Sequence, residues 1–388
     1  MFRWLRRLGL TPGAVAAIAT LVAVGIAVSL MPPLVALNLA ARGISERTIG
    51  LLIATVAVSA LAVTPFVSTL AVRFGTARLI AASVITAAVV FPAVWLVESL
   101  AALFALLFVY GAATTLCFTL SEFWINAATP DHRRGLVMGI YATILSLGFA
   151  LGPAIVALLG FDSIRPFLLG AIITATAAIP VLASQAASPD FEEAPRRRFA
   201  AFIFAAPVAT FGVFVFAMSE QGGFAFLPLW GRHLGFDPSV AVLLAAAMTL
   251  GNVVFQIPLG LIADRFDRRL VLLACGLVGS LGMAAAWMVS GSAPALMGVL
   301  LVWGGASAGL YTVGLAHLAS RFSGGDLAGA TAAFVFCYAL GMLVGPAAIG
   351  DAMARAPTFG FPSVLGGAFA VYSLVVVLRI VITRHRLR

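Results

Sequence analysis

Two carboxylates stand inside apolar runs of this chain. Glu122 lies in Ser121-Glu122-Phe123-Trp124-Ile125-Asn126, and Glu220 in Met218-Ser219-Glu220-Gln221-Gly222-Gly223. A charged side chain in hydrocarbon is costly, so acids at that depth are rare and mark proton or ion pathways. The chemistry open to such a carboxyl is to bind and release a proton, or to attract a cation. Other polar groups are spaced to join in. Asn126 follows Glu122 by one helical turn on the same face, and Asn252 and Gln256 are four apart. Gln221 adjoins Glu220. Tyr311 and Trp303, with Phe211, Phe214, Phe216, Phe224 and Phe226, offer ring faces to an apolar or cationic guest. His317 closes another apolar run. Each acid also has a plainer reading. Glu122 could pair with Arg133 or Arg134, and Glu220 could be an outer gate residue satisfied by water. His317 reads as an interfacial residue as readily as a proton carrier.

The elements holding these residues are written in the composition. Hydrophobic residues make up 62% of the chain and charged ones 10%, against roughly 45–50% and 25% in a soluble domain. Only lipid can cover so much apolar surface. Runs of about 20 apolar residues, the length of a bilayer crossing, recur roughly twelve times. The opening Met1-Phe2-Arg3-Trp4-Leu5-Arg6-Arg7 resembles a signal peptide, but the apolar run from Ala14 to about Leu39 is too long for one. It is expected to stay as the first crossing.

The chain repeats itself at half length. Leu147-Gly148-Phe149-Ala150-Leu151-Gly152-Pro153 returns as Leu340-Gly341-Met342-Leu343-Val344-Gly345-Pro346, an offset of 345 − 152 = 193 residues in a chain of 388. Leu70-Ala71-Val72-Arg73-Phe74 returns as Ile262-Ala263-Asp264-Arg265-Phe266, an offset of 266 − 74 = 192. The expectation is an all-α integral membrane fold of about twelve helices, in two six-helix bundles related by a pseudo-two-fold axis along the membrane normal. The bundles cover residues 1–184 and 199–388. The polar stretch 185–198, with Pro189 and Pro195, is the linker.

Charge sets the orientation. All 23 basic residues besides histidine are arginines. With the N-terminus in the cytoplasm, 18 fall inside, and five, Arg42, Arg47, Arg165, Arg232 and Arg355, fall outside. That is the positive-inside pattern of a multi-pass inner-membrane protein with both termini cytoplasmic. The net charge of +9 is therefore no nucleic-acid signal. Trp95, Trp230 and Trp287 fall near outer helix ends, where an aromatic belt belongs. Cys117, Cys275 and Cys337 are widely spaced in apolar segments and read as packing residues.

Several function classes drop out. A phosphate-cradling loop of an ATP-driven pump needs a lysine, and there is none. Four scattered histidines and three apolar cysteines make neither a metal site nor a catalytic cluster, so no enzyme activity and no cofactor are expected. No filter loop of a channel appears. A membrane sensor that has lost transport remains a rival, and such a protein is expected to carry a soluble domain or long tail.

The residues between the second and third crossings of the second half carry a family resemblance. Gly260-Leu-Ile-Ala-Asp264-Arg265-Phe-Asp267-Arg268-Arg269 resembles the major facilitator signature Gly-x-x-x-Asp-Arg-x-Gly-Arg-Arg, with Asp267 in place of the second glycine. The first-half copy keeps Arg73 and Gly75 but has Val72 where the aspartate belongs. Gly148-x-x-x-Gly152-Pro153 is similar to the motif of proton-driven antiporters of that superfamily. Glu122-Phe-Trp124-Ile-Asn126 resembles a Glu-x-Trp-Leu-Asn run in one bacterial group of it. The resemblance implies that helices one, four, seven and ten line a central cavity, which puts Glu122, Glu220 and His317 on cavity-lining helices. It implies a protein that moves a small molecule by alternating access, and a monomer is expected. Physical chemistry gives the motifs work. Asp264, Arg265, Arg268, Arg269 and Arg73 can cap exposed carbonyls or pair across helix ends as a cytoplasmic latch. Gly148, Gly152, Pro153, Gly341, Gly345 and Pro346 let helices approach closely.

No arginine lies at membrane depth except Arg379 near a helix end. Carriers of strongly anionic substrates place arginine where it can fork onto the anion. The substrate is therefore expected to be cationic, neutral or lipophilic, with efflux coupled to protons. A proton symporter or a facilitator for a small metabolite is the alternative.

Overall fold

The computed structural model describes residues 11–129, 134–189, 200–322 and 324–386. Their regular elements are all helices, with no strand among the described residues. The helices are α1 (Pro12–Ala41), α2 (Glu46–Phe74), α3 (Thr76–Leu96), α4 (Leu100–Ala127), α5 (Arg134–Leu159) and α6 (Arg165–Ala183), then α7 (Pro207–His233), α8 (Pro238–Arg265), α9 (Arg268–Met288), α10 (Ala293–Ala319), α11 (Gly324–Arg355) and α12 (Gly360–Arg386). Eleven are long and apolar enough, within the described residues, to cross a membrane. The other, α5, has 26 residues and a described apolar stretch Ile144–Leu159. The expected all-α, multi-pass fold is what the chain forms.

The outer surface confirms the solvent. Leu158 is 84% exposed, Met288 81% and Ile257 70%. Bulky apolar groups stand in the open on many helices, and only lipid removes them from water.

The chain forms two compact units. One comprises Met1–Asn38 and Thr55–Pro195, the other Leu39–Ala54 and Arg196–Arg388. The cluster with the second unit begins at the end of α1 and takes in the start of α2. There Glu46 meets His233 at 3.0 Å and Arg47 meets Asp351 at 3.5 Å, while Gly50 and Gly350 bring α2 and α11 backbone to backbone.

Inside each unit the repeated glycines do the same job. In the first, Gly148 of α5 faces the Val22 carbonyl of α1, and a methyl built there would lie 3.0 Å from that oxygen. Gly152 faces Ser29 and Leu30, a turn further on. In the second, Gly341 of α11 faces Phe214 of α7 and Gly345 faces Met218, where an added methyl would lie 2.6 Å from the Met218 Cα. Ile349 then packs on Gly222. Contacts advancing in steps of four along both helices mean that α7 and α11 run side by side in the same direction. Dispersion over such a close seam replaces the hydrophobic drive that lipid removes.

Two turns show how the repeat diverged. Gly75, between α2 and α3, has φ of 82°, which favours glycine. The position of the repeat at α8–α9 carries Asp267, with φ of −57°. Its carboxylate instead accepts from the Arg269 N–H at 2.9 Å and caps α9. Trp230, expected in an aromatic belt, is fully buried. Its indole N–H donates to the Thr358 carbonyl at 2.7 Å and its ring stacks on Phe361. A buried indole nitrogen needs an acceptor, and the α11–α12 turn supplies one.

The seam is testable. Gly345→Ala should cost about 1–3 kcal/mol of stability through overpacking, whereas Gly367→Ala, with nothing within 4 Å, should be near neutral. Thermal unfolding of the two variants in detergent checks this, and equal melting temperatures would refute the close α7–α11 contact. A second expectation concerns the α8 cap. The Asp237 carboxylate accepts from the Ser239 hydroxyl and N–H, which holds its pKa below the usual carboxylate value. A depressed pKa means the cap stabilises above the unfolded value and is lost as pH falls through the folded one. Asp237→Ala should therefore be less stable than the parent at neutral pH, with the gap closing in acid. A gap that is constant with pH would exclude the carboxylate as its source.

Candidate functional site

The acid of the second unit sits where three helices meet. Glu220 is half-buried on α7, a helix that is buried on nearly all faces. Gly222, Gly223 and Pro228 would be expected to loosen α7 here, but the helix runs through them unbroken. Both glycines are filled by neighbours, Ile349 and the Met248 thioether, so they serve packing. Tyr338 of α11 donates its hydroxyl to the Glu220 Oε2 at 2.5 Å. The Gln221 side chain also reaches that phenol.

The surroundings are aromatic on one side and hydroxylic on the other. Phe216, one turn before Glu220, lies 5.3 Å from Tyr311 of α10 and 6.1 Å from Tyr338, ring centre to ring centre. Tyr311 and Tyr338 are 6.4 Å apart, edge to face, and Phe334 closes the wall 5.5 Å from Tyr311. Tyr311 is 37% exposed and gives the wall an open face. Ser219, next to Glu220, shares a hydrogen bond with Ser307 of α10, both buried. The group thus offers a carboxyl, phenol and alcohol hydroxyls and ring faces. It can hold a proton, and it can attract a cation over a ring.

The acid of the first unit has the same kind of partner from a different pair of helices. Tyr141 of α5 donates to the Glu122 Oε1 of α4 at 2.7 Å. The two acids are not related by the repeat. With the 193-residue offset, Ala27 corresponds to Glu220 and Leu315 to Glu122. Each phenol–carboxyl pair is therefore a separate solution to one cost, that of an unpartnered polar group away from water.

The other candidates are dispersed. Trp303 is fully buried, donates its N–H to the Gly279 carbonyl at 3.1 Å and meets Phe369 edge to face. It packs α10 on α9 and α12. Asn252 and Gln256 lie half-buried on α8, and Asn252 Oδ1 is buried without a hydrogen bond. His317 is 6% exposed near the end of α10, beside the α8–α9 turn. The side chains of Asn126 and Arg134, and Arg133 altogether, lie outside the described residues, as does the linker from residue 190 onward. In that α8–α9 turn, Asp264 is 3.6 Å from Arg268. It is Arg268, rather than Arg265, that reaches a neighbouring helix end, donating Nη1 to the Ala316 carbonyl of α10 at 3.2 Å. Arg73 lies over the Phe74 ring at 5.4 Å.

Tyr338, Tyr141, Ser219 and Ser307 were not singled out by the sequence reading. A signal existed for the tyrosines. There are five in the chain, against 29 phenylalanines, and every one falls in an apolar run where its hydroxyl needs a partner.

Comparison with known proteins now bears on the fold. The family model of the Major Facilitator Superfamily matches residues 13–209 and 209–387. The chain is 26% identical over 242 residues to the uncharacterized MFS-type transporter YfkF of Bacillus subtilis (strain 168), covering 59% of this chain and 60% of that protein. It is 25% identical over 243 residues to the uncharacterized MFS-type transporter Ent638_1421 of Enterobacter sp. (strain 638), with 62% of each covered. The match thus spans about three fifths of the length of these relatives. Among solved structures, a mutant of the nucleoside transporter NupG superposes with a TM-score of 0.77 at 14% identity, over 95% of this chain and 98% of that one. A bacterial homolog of the human lysosomal transporter Spinster, inward-facing and unoccupied, gives 0.73 at 13% identity, over 97% and 96%. At such identities the likeness is one of fold. With both halves matched by one family model, the chain belongs to the Major Facilitator Superfamily.

Proposed function

We propose that this protein is a secondary transporter that moves a small cationic, neutral or lipophilic molecule across the bacterial inner membrane by alternating access, and that efflux is coupled to protons. In this reading it works as a monomer of two bundles, 1–184 and 199–388, with both termini and the 185–198 linker in the cytoplasm. The observation that carries it is Glu220, on a helix enclosed by protein, with the Tyr338 hydroxyl on its carboxylate.

A carboxyl in that place has two states of different shape. Ionised, it accepts the phenol hydrogen bond. Protonated, it has a hydrogen of its own to donate, and its other oxygen still accepts from the phenol. A cation near the aromatic wall competes for the same carboxylate, so proton and substrate exclude each other, which is the requirement for exchange. Glu122 and Tyr141 offer a second such pair. Glu220 is favoured as the coupling group because its helix is buried on nearly all faces and its carboxyl adjoins the aromatic wall.

In proteoliposomes with an imposed pH gradient, Glu220→Gln should lose most gradient-driven transport and Glu122→Gln should lose less. Full transport by both variants and by their combination would remove proton coupling through these acids and leave facilitated diffusion. The α8–α9 turn makes a separate demand. Arg268→Gln, which uncaps the Ala316 carbonyl, and Asp264→Asn should slow transport and shift the inward/outward population, because a contact made in one state alone biases the equilibrium by its own free energy. Site-directed labelling of single cysteines on either side reads that population. Unchanged labelling and rate in both variants would mean that the turn has no latch role.

A further inference from the structure

A cleft of about 540 Å³ lies at the end of the second unit where α8, α9 and α10 meet. Its wall includes Asp264, Asp267, Arg268, Arg269, His317 and Arg321. Three arginines against two aspartates leave an excess of positive charge. Asp267 caps α9 through the Arg269 N–H. Asp264 is 71% exposed at its side chain and makes only a loose 3.6 Å pair with Arg268. Arg268 spends Nη1 on the Ala316 carbonyl.

What remains are polar groups without partners. His317 is more than nine-tenths buried, and its Nε2 has no hydrogen-bond partner; the Arg268 Nε is likewise buried and unpartnered. The Arg269 and Arg321 guanidiniums enter none of the ion pairs among the described residues. Partial desolvation, and then the neighbouring charges of Arg269 and Arg379, push the Arg321 pKa down. Like charges crowded this way are held together at a cost unless an anion sits among them. The N-terminus of α9 opens beside the same cleft and adds the positive end of its dipole.

We propose that this cleft binds a phosphate group, with Arg269 and Arg321 forking onto its oxygens and His317 Nε2 donating from the buried side. Planar guanidiniums beside a helix N-terminus match the tetrahedral, multiply accepting phosphate. The group has two possible sources. One is the headgroup of an anionic phospholipid in the adjoining leaflet, the usual occupant of basic pockets between membrane helices. The other is a soluble phosphate from the cytoplasm.

The experiment uses the purified full chain in a neutral detergent. Native mass spectrometry counts retained phosphatidylglycerol and phosphatidylcholine supplied in equal amounts, and calorimetry measures binding of inorganic phosphate. Retention of phosphatidylglycerol over phosphatidylcholine without inorganic phosphate binding assigns the lipid source, and phosphate binding without lipid preference assigns the soluble one. In either case Arg321→Gln should weaken the bound probe about fivefold, the effect of one basic residue at such a surface. Arg321→Lys should keep most of the binding, and His317→Gln should weaken it. Arg355→Gln, at a distant helix end, should leave it unchanged. Arg321 is exposed, so its variants are expected to fold, and an unchanged size-exclusion profile confirms it. A parent that shows neither preference nor binding overturns the proposal, as does an Arg321→Gln variant that binds the observed probe like the parent.

Discussion

The close approach of α7 and α11 is the constraint on which the second unit depends. In lipid there is little to drive helices together beyond packing and hydrogen bonding, so contact must come from side chains too small to keep the backbones apart. Gly341 and Gly345 meet that need against Phe214, Ala217 and Met218, and Gly222 meets it from the other helix against Ile349. The same helix carries Tyr338 to Glu220. Without the seam the carboxyl would face α11 from a distance, and a half-buried polar group would lack its donor. The seam that packs the two helices thus also brings the Tyr338 hydroxyl to the Glu220 carboxyl.

The repeat explains what the halves share and where they part. Both use a Leu-Gly-x-x-x-Gly-Pro run to lay their fifth crossing on their first, α5 on α1 and α11 on α7. That task is geometric and tolerates no bulk, so the residues match. The turn after the second crossing is a looser problem. Gly75 solves it with a left-handed backbone, and Asp267 with a helix cap. The acids are looser still. Glu122 with Tyr141 and Glu220 with Tyr338 stand at positions that the repeat does not relate, on different helix pairs. The duplicated frame was kept, while the polar groups that give it chemistry were placed separately.

How much of this was legible from residues alone follows from the range of each interaction. Composition and apolar run length report the solvent, and they foretold a helical multi-pass chain. The repeat foretold the paired glycine seams, because a small residue every fourth position can hardly do anything else in a long apolar helix. Glu220 was conspicuous as a charge among apolar neighbours. Tyr338, 118 residues further on, was not, because nothing local tells a phenol that reaches an acid from one that fills space. Trp303 and Trp230 show the converse. Both looked like site or interface residues, and both are buried anchors whose indole N–H groups find backbone carbonyls. Arg268 rather than Arg265 reaches α10, a choice between neighbouring arginines that their spacing in sequence leaves open.

The central claim is that the Glu220 carboxyl gains and loses a proton while bound to Tyr338. Infrared difference spectroscopy of the reconstituted protein across a pH step observes that proton directly, through the carbonyl stretch of a protonated carboxylic acid. The account predicts a pH-dependent carboxyl band that disappears in Glu220→Gln and shifts in frequency in Tyr338→Phe, where the hydrogen-bond donor is gone. A band that persists unchanged in Glu220→Gln, or no titrating band in the parent, would contradict it.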